Sequence, residues 1–245
     1  MKLFLFTFIV LFGSCKKHES PRVLSGGAVA ISIPDTTPKS APGTYTYLAL
    51  GDSYTVGSGV SFNESFPSQL VDTLSKNGLK STLKTVVAGS GWRTSDLKSN
   101  LLRSNPNRTF DIVTLLIGVN NQYQGFSEDG YRAEFSELLD IAIKFARGDN
   151  TKVFVLSIPD WGVTPYARSF GNGDTGTITL QINQYNAINK QEAANRSVNY
   201  IDVTPISRLA SNDLSLLASD NLHPSRKMYS MWVNLLAPKV AAKLK

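Results

Sequence analysis

Cysteine is all but missing from this chain: Cys15 is the only one in 245 residues. One thiol forms no intrachain disulfide, so covalent cross-links do not hold the fold. Histidine is nearly as scarce, with only His18 and His223. A zinc site wants several nitrogen or sulfur ligands, so no metal is expected, and nothing in the sequence calls for another cofactor. Basic residues outnumber acidic ones, 25 to 19, for a formal charge of +6. Yet only Lys16-Lys17 and Arg226-Lys227 are adjacent. Nucleic-acid binding calls for a clustered basic stripe, and none is present; the mild positive excess suits anionic cell-envelope material better. Long apolar runs are lacking too. The longest, Leu3 to Phe12, falls well short of the roughly 20 apolar residues that cross a bilayer.

What is present at the N-terminus is one lysine, a short apolar run and two small residues, the pattern of an export signal over residues 1–14. Phe12-Gly13-Ser14-Cys15 resembles the lipobox of bacterial lipoproteins, which implies lipidation at Cys15 and anchorage that spans nothing. Cleavage there removes Lys2 and no acid, leaving a charge of +5. Residues 15–44 hold four of the eleven prolines and the pair Gly26-Gly27, the composition of a flexible tether. Within it, Val29 to Ile33 is a candidate edge strand. Residues 45–245 are enough for one domain with a substantial core, expected to be a monomer, and contain no internal repeat.

Five apolar, β-branched runs read as buried strands: Tyr45–Leu50, Thr82–Val87, Asp111–Ile117, Lys152–Ile158 and Val198–Val203. Between them the apolar spacing predicts helices over Glu64–Lys76, from near Thr94, over Ser127–Arg147 with Ser127 as cap, and over Thr179–Asn195. A last helix, Pro224–Lys245, carries an inward stripe of Met228, Met231, Trp232, Leu235 and Leu236, and Pro238 should kink or split it. Strictly alternating strands and helices imply a parallel sheet between two helical layers.

Short polar stretches come after these strands, and in open α/β sheets ligands bind at that edge. Gly51-Asp52-Ser53 ends the first, with the glycine expected to allow a sharp turn that presents the Ser53 hydroxyl. Gly89-Ser90-Gly91 lies after the second, where backbone amides can approach a ligand. Gly118-Val-Asn120 lies after the third and offers a side-chain amide. Asp220-Asn-Leu-His223-Pro224 precedes the last helix. If the domain uses an imidazole base it must be His223, because His18 lies in the tether. Asp220, three residues earlier, can hold one ring nitrogen and leave the other as an acceptor. Gly171 to Gly176 fits Gly-x-Gly-x-x-Gly but does not directly succeed a strand, so it reads as a loop and not a dinucleotide site.

These four blocks, in this order and at strand ends, resemble the GDSL, or SGNH, hydrolases across roughly residues 45–245. The resemblance implies a flavodoxin-like α/β/α sandwich with five parallel strands. It implies Ser53 as nucleophile, His223 as base and Asp220 as its orienter. The oxyanion donors would be the Ser53 and Gly91 amides and the Asn120 side chain. Tyr54 stands where the family name has leucine, and Asn121 replaces the aspartate of Gly-x-Asn-Asp; Asn121 is expected to be structural. Tyr54, Trp92 and Trp161 are candidate cleft residues, since aromatic faces suit apolar acyl groups and sugar rings.

The expected activity is hydrolysis of short-chain acyl esters, such as acetyl groups on carbohydrate, because no large apolar lid segment is evident. Two other readings fit the same residues. In one, an acyltransferase uses a sugar hydroxyl in place of water. In the other, the fold binds envelope glycans without catalysis.

Overall fold

The computed structural model describes residues 43–103, 108–170 and 174–245. The proposed signal, Cys15, the tether up to Pro42 and the candidate edge strand at Val29–Ile33 lie outside the described residues. Five strands form one sheet: β1 (Tyr45–Gly51), β2 (Ser81–Ala88), β3 (Ile112–Leu116), β4 (Val153–Leu156) and β5 (Asn199–Ile201). All pairings are parallel, in the order β2-β1-β3-β4-β5, which is the flavodoxin-like arrangement. Every residue of β3 and β4 is buried, as expected of strands covered on both faces.

The crossovers set the layers. The chain steps one way from β1 through α2 (Phe66–Lys76) to β2. It then reverses through α3 (Thr94–Arg103), α5 (Glu128–Phe145) and α7 (Thr175–Asn195) to β3, β4 and β5. Right-handed crossovers in opposite directions put their helices on opposite faces. Accordingly α5 packs on both α3 and α7, while α9 (Arg226–Leu244) returns to pack on α2. Under α9 the core includes Trp232, Tyr229 and Phe66, all fully buried and in mutual ring contact.

Several expectations need adjustment, each for a local reason. The fourth strand stops at Leu156: the Ser157 N–H still donates to the Ile201 carbonyl at 3.0 Å, but the Val203 and Thr204 N–H groups then turn to the Ser157 hydroxyl instead of a backbone carbonyl, and that hydroxyl donates to Asp202. Helix α7 starts at Thr175, four residues before the expected start, because the Asp174 side chain caps it by accepting from the Thr177 N–H. Asp174 to Gly176 therefore belongs to a cap and first turn, and Gly171 to Gly173 lies outside the described residues. Ser127 caps α5 as expected. Helix α9 runs unbroken through Pro238. Pro238 and Asn234, whose carbonyl loses its donor, both face solvent, so water can take the freed acceptor. Leu235 is also exposed, contrary to the expected stripe; Val233, Ala237 and Val240 take the inward positions.

Candidate active site

Strand register builds the site. Gly51 of β1 lies level with Ala88 of β2 and Leu116 of β3. Ser53, Gly91 and Asn120 come within four residues of that level, so three neighbouring strands deliver them to one edge. The switch point lies here, between β1 and β3, whose crossovers run on in opposite directions, to β2 and to β4.

The requirement for glycine at 51 differs from the expected one. Its backbone needs no unusual torsion; a Cβ there would stand 2.3 Å from the Leu116 carbonyl oxygen and 2.2 Å from Thr55 Oγ1. Close approach of β3, not turn freedom, excludes a side chain. Beyond it the chain forms a four-residue helix, α1 (Ser53–Val56), rather than a simple turn. Asp52 caps it, accepting from the Tyr54 N–H at 3.0 Å. Burial pushes the Asp52 carboxyl up to about 7, only partly offset by backbone hydrogen bonds. Gly91 is the other case: its φ of 80° favours glycine, and nothing lies within 4 Å of where a Cβ would point.

Ser53 and His223, 170 residues apart, meet with Oγ to Nε2 at 3.0 Å. His223 Nδ1 lies 2.7 Å from Asp220 Oδ2. The other carboxylate oxygen, Oδ1, accepts from the Leu222 and His223 N–H groups at 3.0 and 2.9 Å. Burial works against the Asp220 charge, but the imidazole and the two amides outweigh it and hold the carboxyl at about 2. An ionised Asp220 fixes the proton on Nδ1 and leaves Nε2 to accept the serine proton. The turn is stapled locally: the Ala218 N–H donates to the His223 carbonyl at 2.8 Å, and the Ser225 N–H to the Leu216 carbonyl at 2.8 Å.

Asn120 Nδ2 donates one hydrogen to the Trp92 carbonyl at 2.9 Å, which orients the amide and leaves its second N–H for the cleft. Asn121 is buried and bonds Thr94 twice, accepting from its N–H at 3.0 Å and donating to its hydroxyl at 2.7 Å. It is structural, tying the end of β3 to the start of α3.

A cleft of about 180 Å³ joins Ser53, Gly91, Asn120 and His223 with Tyr54 and Trp161. Trp92 does not line it. Its ring is buried over Gly89, where a Cβ would clash at 2.3 Å, so it packs rather than binds. Tyr54 is mostly buried, with its ring 5.5 Å from the His223 ring and edge-on to it. Trp161 is held by a bond from its Nε1 to Gln122 Oε1 at 2.8 Å. Sequence reasoning missed Val119, Tyr123, Tyr166, Leu222 and Ser90, which complete the wall. For three of the five the signal was position: Ser90 and Val119 fall on the polar stretches after β2 and β3, and Leu222 stands beside His223. A wider groove of about 960 Å³ between α2 and α9 is lined by charges of both signs, including Glu64, Asp72, Lys76 and Arg226, and holds no comparable hydroxyl–imidazole pair. Among the described residues no group of three His, Cys, Asp or Glu side chains could hold a metal ion.

The chain matches the model of the GDSL-like Lipase/Acylhydrolase family over residues 49–231. No curated protein matches it. Among solved structures it resembles a lipase/acylhydrolase from Enterococcus faecalis, with a TM-score of 0.61, 18% identity and coverage of 82% of this chain and 97% of that one. It resembles LAE5, an α/β hydrolase from the metagenome of Lake Arreo, at 0.61 and 18%, covering 82% and 96%. It also resembles Axe2, an acetylxylan esterase from Geobacillus stearothermophilus, at 0.57 and 18%, covering 82% and 94%. At these identities the likeness is one of fold.

Proposed function

Because the chain belongs to the GDSL-like lipase/acylhydrolase family, hydrolases of carboxylic esters, we propose that it cleaves short-chain acyl esters on carbohydrate through an acyl-serine intermediate. The observation that carries this reading is the unbroken path Ser53 Oγ, His223 Nε2, Nδ1, Asp220, at 3.0 and 2.7 Å. A serine hydroxyl attacks only when a base takes its proton. Ser53 Oγ adds to the ester carbonyl carbon as its proton passes to His223 Nε2. The carbonyl oxygen becomes an oxyanion facing the Ser53 and Gly91 amides and the free N–H of Asn120. Collapse expels the alcohol, which leaves with the proton from His223. Water, activated by the same imidazole, then adds to the acyl-serine and releases the acid.

The oxyanion role of Asn120 has a direct test. Asn120→Ala removes one of three donors and should lower kcat by roughly a hundred- to a thousandfold with little change in KM. A loss under fivefold in steady-state kinetics would remove Asn120 from that role.

The cleft's small size supports short acyl groups, and its aromatic wall supports a carbohydrate partner. The esterase activity of Axe2 on acetylxylan is consistent with this direction. We further propose that the enzyme is exported and held at the bacterial cell envelope by acyl chains on Cys15, on the strength of Phe12-Gly-Ser-Cys15 after the apolar run. One experiment in cells addresses both parts. A fluorescent phosphonate should label Ser53, and no other residue, in the membrane fraction, and Cys15→Ser should move the labelled band to the soluble fraction. Absence of labelling on folded protein counts against the nucleophile, and labelled protein that stays in the membrane after Cys15→Ser counts against the anchor.

A further inference from the structure

The catalytic cleft holds more aromatic surface than an acetyl group can use. Beyond Trp161 two loops meet: Tyr123 on α4 (Val119–Tyr123), and Tyr166 and Phe170 on and after α6 (Pro165–Ser169). Tyr166 and Phe170 stack with centroids 5.6 Å apart and planes 13° apart. Tyr123 packs against both Trp161, at 5.7 Å, and Phe170, at 5.4 Å. Tyr123 is 37% exposed, and Tyr166 and Phe170 are half-buried, so the cluster forms a surface and not a core.

We propose that Tyr123, Tyr166 and Phe170 form a platform for a sugar ring of the substrate, next to the reacting ester. This rests on the carbohydrate-ester reading above. A pyranose presents apolar C–H faces edged by hydroxyls; aromatic rings match the faces, and phenol hydroxyls match the edges. An extended fatty chain needs a long slot without polar groups. The cleft instead is small, about 180 Å³, and Tyr123, Tyr166 and Ser90, three hydroxyl-bearing residues, line it. Ser90 is in turn bonded to Ser58 at 2.9 Å on the exposed rim, a second hydroxyl edge.

Rigidity supports the assignment. Asp160, fully buried, holds the loop before α6 by accepting from the Gly162 N–H and the Thr179 hydroxyl and pairing with Arg208 at 2.9 Å. Thr164 caps α6 itself, accepting from the Ala167 N–H at 3.2 Å. Aromatic faces on fixed loops bind at low entropic cost.

Binding without turnover separates the platform from the chemistry. Ser53→Ala protein is titrated calorimetrically with xylotetraose, cellotetraose and chitotetraose in turn. At least one should bind, and Tyr123→Ala or Tyr166→Ala in that background should weaken it about tenfold. Tyr123→Leu, which keeps bulk without the ring, should weaken binding similarly, and thermal melting confirms folding. In the Ser53-containing enzyme the same substitutions should lower kcat/KM for acetylated tetrasaccharide about tenfold relative to nitrophenyl acetate. Failure of all three sugars to bind, or equal binding by the alanine variants, overturns the platform. So does a preference for nitrophenyl palmitate that the tyrosine substitutions abolish. Inactivity of the parent enzyme on nitrophenyl acetate would instead sink the esterase reading, with the titration still judging the platform.

Discussion

Replacing Ser53 or His223 by alanine should lower kcat on a nitrophenyl ester by on the order of a millionfold, and replacing both should cost no more than either alone. The reason is the single contact of 3.0 Å between Oγ and Nε2. Without the hydroxyl there is no proton for the imidazole to take; without the imidazole, the hydroxyl keeps its proton and stays a weak nucleophile. Each partner's contribution exists only through the other, so the losses cannot multiply. What survives should be the donors' effect on an attacking water, on the order of a thousandfold over the uncatalysed rate. Single variants that keep a tenth of the activity, or a double variant much worse than either, would break the proposed pairing. Ser53→Ala deletes one buried hydroxyl whose bond is to His223, so its melting temperature should stay close to that of the parent and rule out unfolding as the cause.

Much of this site is legible in the sequence because its parts sit on punctuation. Strand ends are marked by glycine, and the loops after them are short, so placing the strands confines Ser53, Gly91 and Asn120 to one edge. Parallel register then aligns Gly51, Ala88 and Leu116 without any further signal. His223 stands out by scarcity. The misreadings have a different cause: they concern which way a side chain faces, in short irregular segments or where the phase of a helix is ambiguous. Trp92 and Trp161 look alike in sequence, each one residue past a turn former. Trp92 turns inward because Gly89 leaves room for its ring, whereas Trp161 reaches the cleft because Gln122 holds its indole N–H. Tyr123 and Tyr166 give no periodic pattern, as they sit on helices of five residues too short to show one. Leu235 misleads because apolar pairs such as Leu235-Leu236 leave the helix phase ambiguous by one residue; only the packing of α9 on α2 resolves it.

Asp220→Asn is the second large effect, and its size comes from an oxygen that does not touch the imidazole. Asparagine fits the same space, so a purely steric view predicts little change. Oδ1 of Asp220 accepts two backbone N–H groups, from Leu222 and His223, at 3.0 and 2.9 Å. In the asparagine variant the amide oxygen must keep that position, because an NH₂ group there would face two donors. The NH₂ is then forced toward Nδ1, which must accept instead of donate. The neutral ring carries its proton on Nε2, and Nε2 can no longer take the proton of Ser53. The expected loss in kcat is about ten-thousandfold, with KM little altered. A merely structural role for Asp220 makes a different prediction, since removing the carboxylate altogether would then do the most harm. Asp220→Ala, which lets the ring choose its tautomer, should accordingly retain more activity than Asp220→Asn. Nitrogen-15 spectra of His223 supply the deciding readout: the neutral ring should show its proton on Nδ1 in the parent and on Nε2 in the asparagine variant. An unchanged tautomer alongside lost activity would show that the carboxylate acts by its charge alone.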